Sequence, residues 1–390
     1  MHIPMRTALF NETGQQLMLD KSGSIEKVFE LTEIKHKFVF NNMKSKPIAS
    51  LFRGFSAPVN VNFNQPSEEL VNLMVFDTDS YNRWDVTQIM SKTVIMEAYE
   101  AIQNNKDANC PKYYIEAISQ ILTNSETNPA LLAEALALPV LKGLMASMSD
   151  IKVDLLHQAK DFIKKSLANA LEIELLSVYN QNFVEGIYKV ESQDVSKRSL
   201  KNICLSYLMC TSNPDIKRLC KQQYHQANNM TDAISALSLY VHHTSDGYNE
   251  MLMAFYKKWQ SNTLVMDKWF SIQATSPAYG TLNKVIDLLE HESFTIENPN
   301  KVRALIGAFA AGNLLHFHQI SGKGYVFLAD QVIALDKLNP QVASRMVSYF
   351  NNWKEFDQTH RELMKDQLLR IHKTDNLSPD VFEIIEKALA

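Results

Sequence analysis

The chain has 390 residues, with 39 Lys and Arg against 43 Asp and Glu, a formal charge of −4, and 46% hydrophobic residues. A mild acidity of this kind gives no electrostatic footprint for nucleic acid, no apolar run approaches the ~20 residues of a membrane span, and four cysteines do not make a disulfide framework. Gly and Pro number only 11 and 12, so a chain this poor in turn formers reads as mostly helix.

At ~100–200 residues per domain the length suggests two or three domains. The opening residues, Met1-His2-Ile3-Pro4-Met5-Arg6, lack a charged region followed by an apolar stretch and a cleavage site. They predict no signal peptide, and the chain reads as soluble and reducing-compartment.

The first sixty or so residues read as β-structure. Arg6–Phe10, Gln15–Leu19, Lys27–Leu31, Lys37–Phe40 and Pro58–Phe63 are expected strands, with Gly14 supplying the first turn. Five strands in so short a segment suggest a partial β-sandwich over residues 1–64, because a complete immunoglobulin-like sandwich needs ~100 residues.

Asn64-Gln65-Pro66-Ser67 marks a boundary, with Ser67 as a helix cap and Glu68 and Glu69 favourable in the first turn. Residues 65–390 then carry helical periodicity. Leu155, Ala159, Phe162, Ile163, Leu167, Ala170 and Leu171 follow one face, as do Leu200, Ile203, Cys204, Tyr207 and Leu208, and Val302, Leu305, Ile306 and Phe309.

Helix starts carry a recurrent punctuation. Asn128-Pro129, Asn213-Pro214, Asn298-Pro299 and Asn339-Pro340 each set a cap before a Pro at the first helical position, and Ser276-Pro277 and Ser378-Pro379 do so with Ser. Several starts lie about forty residues apart, near one helical hairpin of the HEAT or armadillo kind. The expected fold is mainly α: antiparallel helix pairs stacked as a curved solenoid, preceded by the small β-sandwich.

Catalytic motifs are absent. No His-Glu-x-x-His occurs, since His291-Glu292 is followed by Ser293, Phe294 and Thr295. His242 and His243 point about 100° apart on a helix, and His316 and His318 flank Phe317 without a third ligand at sensible spacing. Cys204, Cys210 and Cys220 form no Cys-x-x-Cys, and buried thiols acting as small hydrophobes are expected. An independent metal site on His316, His318 or the Cys204–Cys220 segment is the weakest reading. Gly322-Lys323-Gly324 reads as a turn, and no phosphate loop, dinucleotide fingerprint or nucleophile elbow is present.

Longer strings are more specific. Phe55-Ser56-Ala57-Pro58-Val59, Arg83-Trp84-Asp85, Asn228-Asn229-Met230-Thr231-Asp232 and Leu264-Val265-Met266-Asp267-Lys268-Trp269-Phe270 come first, followed by Gln273-Ala274-Thr275-Ser276. The run from Asn298 to Phe309 and Asn339-Pro340-Gln341-Val342-Ala343-Ser344-Arg345 complete the set. In this order and spacing the chain resembles the C-terminal part of the bacterial aminopeptidase N family, alanyl aminopeptidases among the gluzincin zinc peptidases. The resemblance covers essentially the whole chain.

The resemblance implies four parts in the parent: an N-terminal β-domain, a thermolysin-like catalytic domain, a small β-sandwich and a large helical C-terminal domain. This chain would enter part-way through the sandwich, leaving an unpaired sheet edge. The family's zinc motif and its Gly-x-Met-Glu-Asn strand do not occur here, so no catalytic or metal-binding residue is carried over. Zinc is then expected in the absent catalytic domain and no cofactor in this chain. The parent would release N-terminal residues, alanine among the preferred ones, by attack of a zinc-activated water. The chain alone is expected to be inactive.

Its expected partners are the catalytic domain of the same polypeptide and peptide substrates, with no nucleic acid and no membrane, and the expected location is cytoplasmic. In the family the helical domain is a bowl over the catalytic cleft that admits short peptides and excludes folded proteins. Gln341 and Arg345 match cavity-facing positions of that domain, and their spacing of four sets them on one helix face. An Arg there presents its fork to a peptide carboxylate or carbonyl. The alternative reading is a stand-alone helical-repeat module that binds peptides or a protein partner.

Among the other strings, Arg83 and Asp85 are expected to fix the first helix against the sandwich. Asp267, Lys268 and Trp269 are expected in inter-helix packing with an ion pair, and Asn229 or Thr231 as a helix cap.

Overall fold

A computed structural model describes residues 1–41, 43–124, 128–184 and 186–390. The chain is mainly helical, with a three-stranded antiparallel sheet at its N-terminal end. It divides into two compact units, residues 1–139 with 159–211, and residues 140–158 with 212–390.

In the first unit, β1 (Ile3–Phe10) lies between β2 (Glu26–Leu31) and β3 (Ile48–Leu51). Arg6 faces Val28 and Ala8 faces Ser50 across the two ladders. Ala8, Leu9 and Phe10 are buried, so the end of β1 carries the sheet's core. Three expected strands differ. Gln15–Leu19 contributes a single bridge, Gln16 to Phe10. Lys37–Phe40 and Pro58–Phe63 are not strands. The rings of Phe38 and Phe40 pack on Phe29 at 4.5 and 5.8 Å instead, so their apolar alternation is used without a ladder. β3 is the strand the sequence hides: four residues behind Pro47, with Ile48 and Ser50 turned inward.

Pro66 holds the cap position of helix Ser67–Phe76, and Ser67 lies inside the helix without capping it. Asp79 caps helix Ser80–Gln103 by accepting from the Asn82 N–H at 2.9 Å. The tie between sheet and helices is a buried polar network. Asn82 Nδ2 donates to Ser50 Oγ at 2.7 Å and to Asp77 Oδ2 at 2.9 Å, while Ser50 Oγ donates to Asp77 at 2.5 Å. Buried Arg53 pairs with Glu26 at 2.9 Å and Asp77 at 3.4 Å, and donates to Thr78 Oγ1 at 2.8 Å. Arg83 Nε donates to the Met74 carbonyl at 3.4 Å, joining two helices, and its charge lies beside Asp77 of that network. Asp85 has no hydrogen bond or ion pair among the described residues.

The second unit is built on one apolar cluster running from Ile151 to Ala388. The Asn–Pro and Ser–Pro punctuation sets its helices. Asn213, Asn298, Asn339 and Ser378 each accept from a backbone N–H in the first turn, as Asn128 does in the first unit. Ser276-Pro277 is the exception. Its helix starts later, at Thr281, behind Gly280 in the left-handed region at φ 84°. Asn229, not Thr231, caps helix Met230–His243.

Gly322-Lys323-Gly324 is part turn and part close approach. Gly322 takes φ 67° before helix Lys323–Asp336, whereas a Cβ on Gly324 would lie 2.4 Å from the Phe317 carbonyl oxygen. No helix among the described residues is long and apolar enough to cross a membrane.

Candidate functional site

Helix Pro340–Val347 positions the predicted pair. Asn339 accepts from the Val342 N–H at 3.1 Å and Pro340 opens the first turn. Ala343, Met346 and Val347 turn into the core, with Val342 and Tyr349 packed against its edge. That rotation leaves Gln341 and Arg345 exposed on the opposite face. Neither side chain has a hydrogen bond or ion pair among the described residues, so both are open to a ligand.

The next position in the stripe is Tyr349, four residues after Arg345. Its hydroxyl lies over Gly307, 3.2 Å from where a Cβ there would stand. Gly307 ends a π-helical turn, Arg303–Gly307, inside the segment that periodicity reads as an ordinary helix. Such turns recur at functional sites. Arg303 donates to Asn300 Oδ1 at 2.5 Å. Burial pushes the Tyr349 hydroxyl pKa up, and the Arg303 charge opposes that rise. Sequence reasoning missed Arg303. Only Gly307, a small residue in an apolar helix, hints at a close approach there.

By contrast, the cation of Lys301 in this unit is satisfied. Lys301 donates to Asp267 Oδ1 at 2.6 Å and to the Thr263 carbonyl at 2.9 Å. The expected ion pair of the Asp267 string is thus real, and its cation comes from 34 residues on. Trp269 Nε1 donates to the Leu252 carbonyl at 3.0 Å, a packing role.

The histidines are structural in their contacts. His316 lies 3.0 Å from the Pro277 carbonyl and His242 lies 3.0 Å from that of Ile272. His291 packs among Tyr256, Trp269 and Phe270. His318 is 2.8 Å from the Tyr325 hydroxyl, and burial together with His360 pushes its pKa down to about 3, so it is neutral. His360 bridges Asp357 at 2.5 Å and the His318 carbonyl at 2.8 Å. His318, Asp357 and His360 line a cleft of about 500 Å³ with Lys152, Asp154 and His316, but no nucleophile stands beside a base among its lining residues.

Cys204 and Cys220 are buried thiols pushed up to about 12 by desolvation, which leaves them unreactive. Among the described residues no three His, Cys, Asp or Glu side chains converge as a metal-holding group. The zinc that the resemblance implies finds no ligand set among the described residues.

Comparison with known proteins adds three findings. Residues 67–390 match the family described as "Domain of unknown function (DUF3458_C) ARM repeats", and residues 1–64 match "Domain of unknown function (DUF3458) Ig-like fold". Aminopeptidase N of Escherichia coli (strain K12) is 36% identical over the whole chain, and that of Haemophilus influenzae 35%. The chain spans 45% and 44% of the length of these two relatives. A crystal structure of Legionella pneumophila aminopeptidase A in complex with aspartic acid matches the whole chain and 45% of its own, with a TM-score of 0.87 and 27% identity.

Proposed function

Because the chain belongs to the ARM-repeat family DUF3458_C and is homologous to the C-terminal portion of bacterial aminopeptidase N, we propose that it is the non-catalytic C-terminal region of a zinc-dependent aminopeptidase. In this reading residues 1–64 form a partial β-sandwich and residues 65–390 the helical domain. The helical domain covers the active site and forms the chamber through which peptides reach it. The zinc and the bond-breaking groups belong to the catalytic domain of the same polypeptide, which releases N-terminal residues, alanine among them, in the cytoplasm.

The observation that carries the reading is the match itself: 36% identity along the entire chain, against only 45% of the relative. The exposed pair on helix Pro340–Val347 supports a place for the peptide. Gln341 offers an amide to a peptide backbone, and Arg345 a guanidinium fork to a carbonyl or terminal carboxylate. Arg303, beside Tyr349, adds a second positive charge to that neighbourhood.

Two assays test this. The 390-residue chain with added zinc is expected not to hydrolyse alanyl p-nitroanilide, and turnover by homogeneous protein would overturn the non-catalytic role. In the longer polypeptide, Arg345→Ala is expected to raise KM for tripeptides about tenfold with little change in kcat, the loss of one charge-assisted hydrogen bond. An unchanged KM would remove Arg345 from the peptide path.

A further inference from the structure

The first unit exposes a group of aromatic rings that the reading above does not use. Phe55 follows a run of left-handed backbone: Phe52 at φ 55°, Gly54 at φ 62° and Phe55 itself at φ 54°. An aromatic residue in that region is strained, and such strain persists only where the surroundings impose it. Here they do. The Gly54 N–H donates to Asp79 Oδ1 at 3.0 Å, and the neighbouring Arg53 is buried and held by Glu26, Asp77 and Thr78.

The strain does not serve burial, because Phe55 remains 53% exposed. Its ring rests on Tyr81 at 5.2 Å, and Tyr81 on Trp84 at 5.8 Å. On helix Ser80–Gln103 the positions Tyr81, Trp84, Asp85 and Ile89 share one face, and Ile89 is exposed.

Asp85 is the one acid of this face, and it is half-buried with no hydrogen bond or ion pair among the described residues. The nearest cation in sequence, Arg83, turns to Met74 and Asp77. A carboxylate held beside aromatic faces and left without a counter-charge is complementary to a guanidinium, which stacks on rings and pairs with an acid at once.

We infer that Phe55, Tyr81, Trp84 and Asp85 form a docking face for an arginine side chain carried on an apolar protein segment. The guanidinium lies on the rings and pairs with Asp85, and the flanking apolar residues lie on Phe55 and Ile89. The inference stands apart from the aminopeptidase reading and does not need it.

The test uses the 390-residue chain labelled with 5-fluorotryptophan. Its four Trp give four fluorine resonances, and Trp84→Phe identifies the one from Trp84. Titration with capped Leu-Arg-Leu is expected to shift that resonance saturably. Asp85→Asn is expected to weaken the response about tenfold while leaving the thermal midpoint equal or higher, since it removes an unpaired, half-buried charge. Phe55→Leu, which keeps the backbone strain but removes the ring, is expected to weaken it as well. Should Asp85→Asn unfold the chain, Phe55→Leu decides alone. An equal response to capped Leu-Glu-Leu, or undiminished binding in the folded variants, would overturn the proposal. Equal affinity for free acetyl-arginine amide would overturn the protein segment as the occupant.

Discussion

Two cations in the second unit stand on helices opened by the same Asn–Pro punctuation, and they have opposite surroundings. Lys301 follows Asn298-Pro299, is 4% exposed, and places its ammonium between Asp267 and the Thr263 carbonyl, with the Phe270 ring 5.6 Å away. Arg345 follows Asn339-Pro340, is exposed, and meets no acid among the described residues. Sequence places both in one helix type. Packing alone makes one an internal fastener and leaves the other free to meet a ligand. The Lys301 charge is taken up inside the fold, whereas that of Arg345 faces solvent.

Breaking the fastener gives the largest effect. Lys301→Met is expected to lower stability by about 3–5 kcal/mol, because Asp267 keeps a partly buried charge without its partner. Urea unfolding measures it, and a loss below about 1 kcal/mol would place Lys301 with the free cations.

Acid gives the next effect, through His318. The unfolded residue takes up a proton near pH 6.5, whereas the folded one, pushed down by burial to about 3, does not. Below pH 6.5 the unfolded state therefore binds the extra proton, and stability falls as pH falls. The wild type is expected to lose about 1.4 kcal/mol per pH unit more than His318→Gln between about pH 6 and 4. Parallel stability profiles for the two proteins would contradict this.

Removing the punctuation itself is smaller. Asn339→Ala is expected to cost about 1 kcal/mol, seen as a lowered thermal midpoint, because the Val342 N–H loses its acceptor. Arg345→Ala is the smallest, within about 0.5 kcal/mol of wild type, as for an exposed residue without partners. A larger loss would mean that Arg345 holds the fold together and would end the comparison.

The helical region was legible because its signals are local. A cap, a Pro and an apolar stripe lie within one or two turns, and five of the six punctuated starts are helix starts. Ser276-Pro277 fails because Ser276 accepts from the Ala278 N–H, making a local turn, and Gly280 resets the start. The β segment was less legible because a strand is defined by a distant partner. Phe38 and Phe40 alternate as a strand would, yet they pack on the Phe29 ring, Phe38 on His36 as well, without joining a ladder, while the short β3 carries little pattern of its own.

The candidate site divides the same way. The shared face of Gln341 and Arg345 follows from spacing, and their place in a chamber came from resemblance alone. Arg303 and the π turn lie beside Tyr349, over forty residues on, and Gly307 is the one residue in the sequence that hints at that approach.

That this chain works as part of a larger aminopeptidase is tested most directly by the size of the native product. An antiserum raised against the chain and used to blot an extract of the source cells is expected to reveal a single band far larger than 44.5 kDa. A sole band at 44.5 kDa would contradict the claim and leave a helical-repeat protein made on its own, with the exposed face of Gln341 and Arg345 as the first place to look for its ligand.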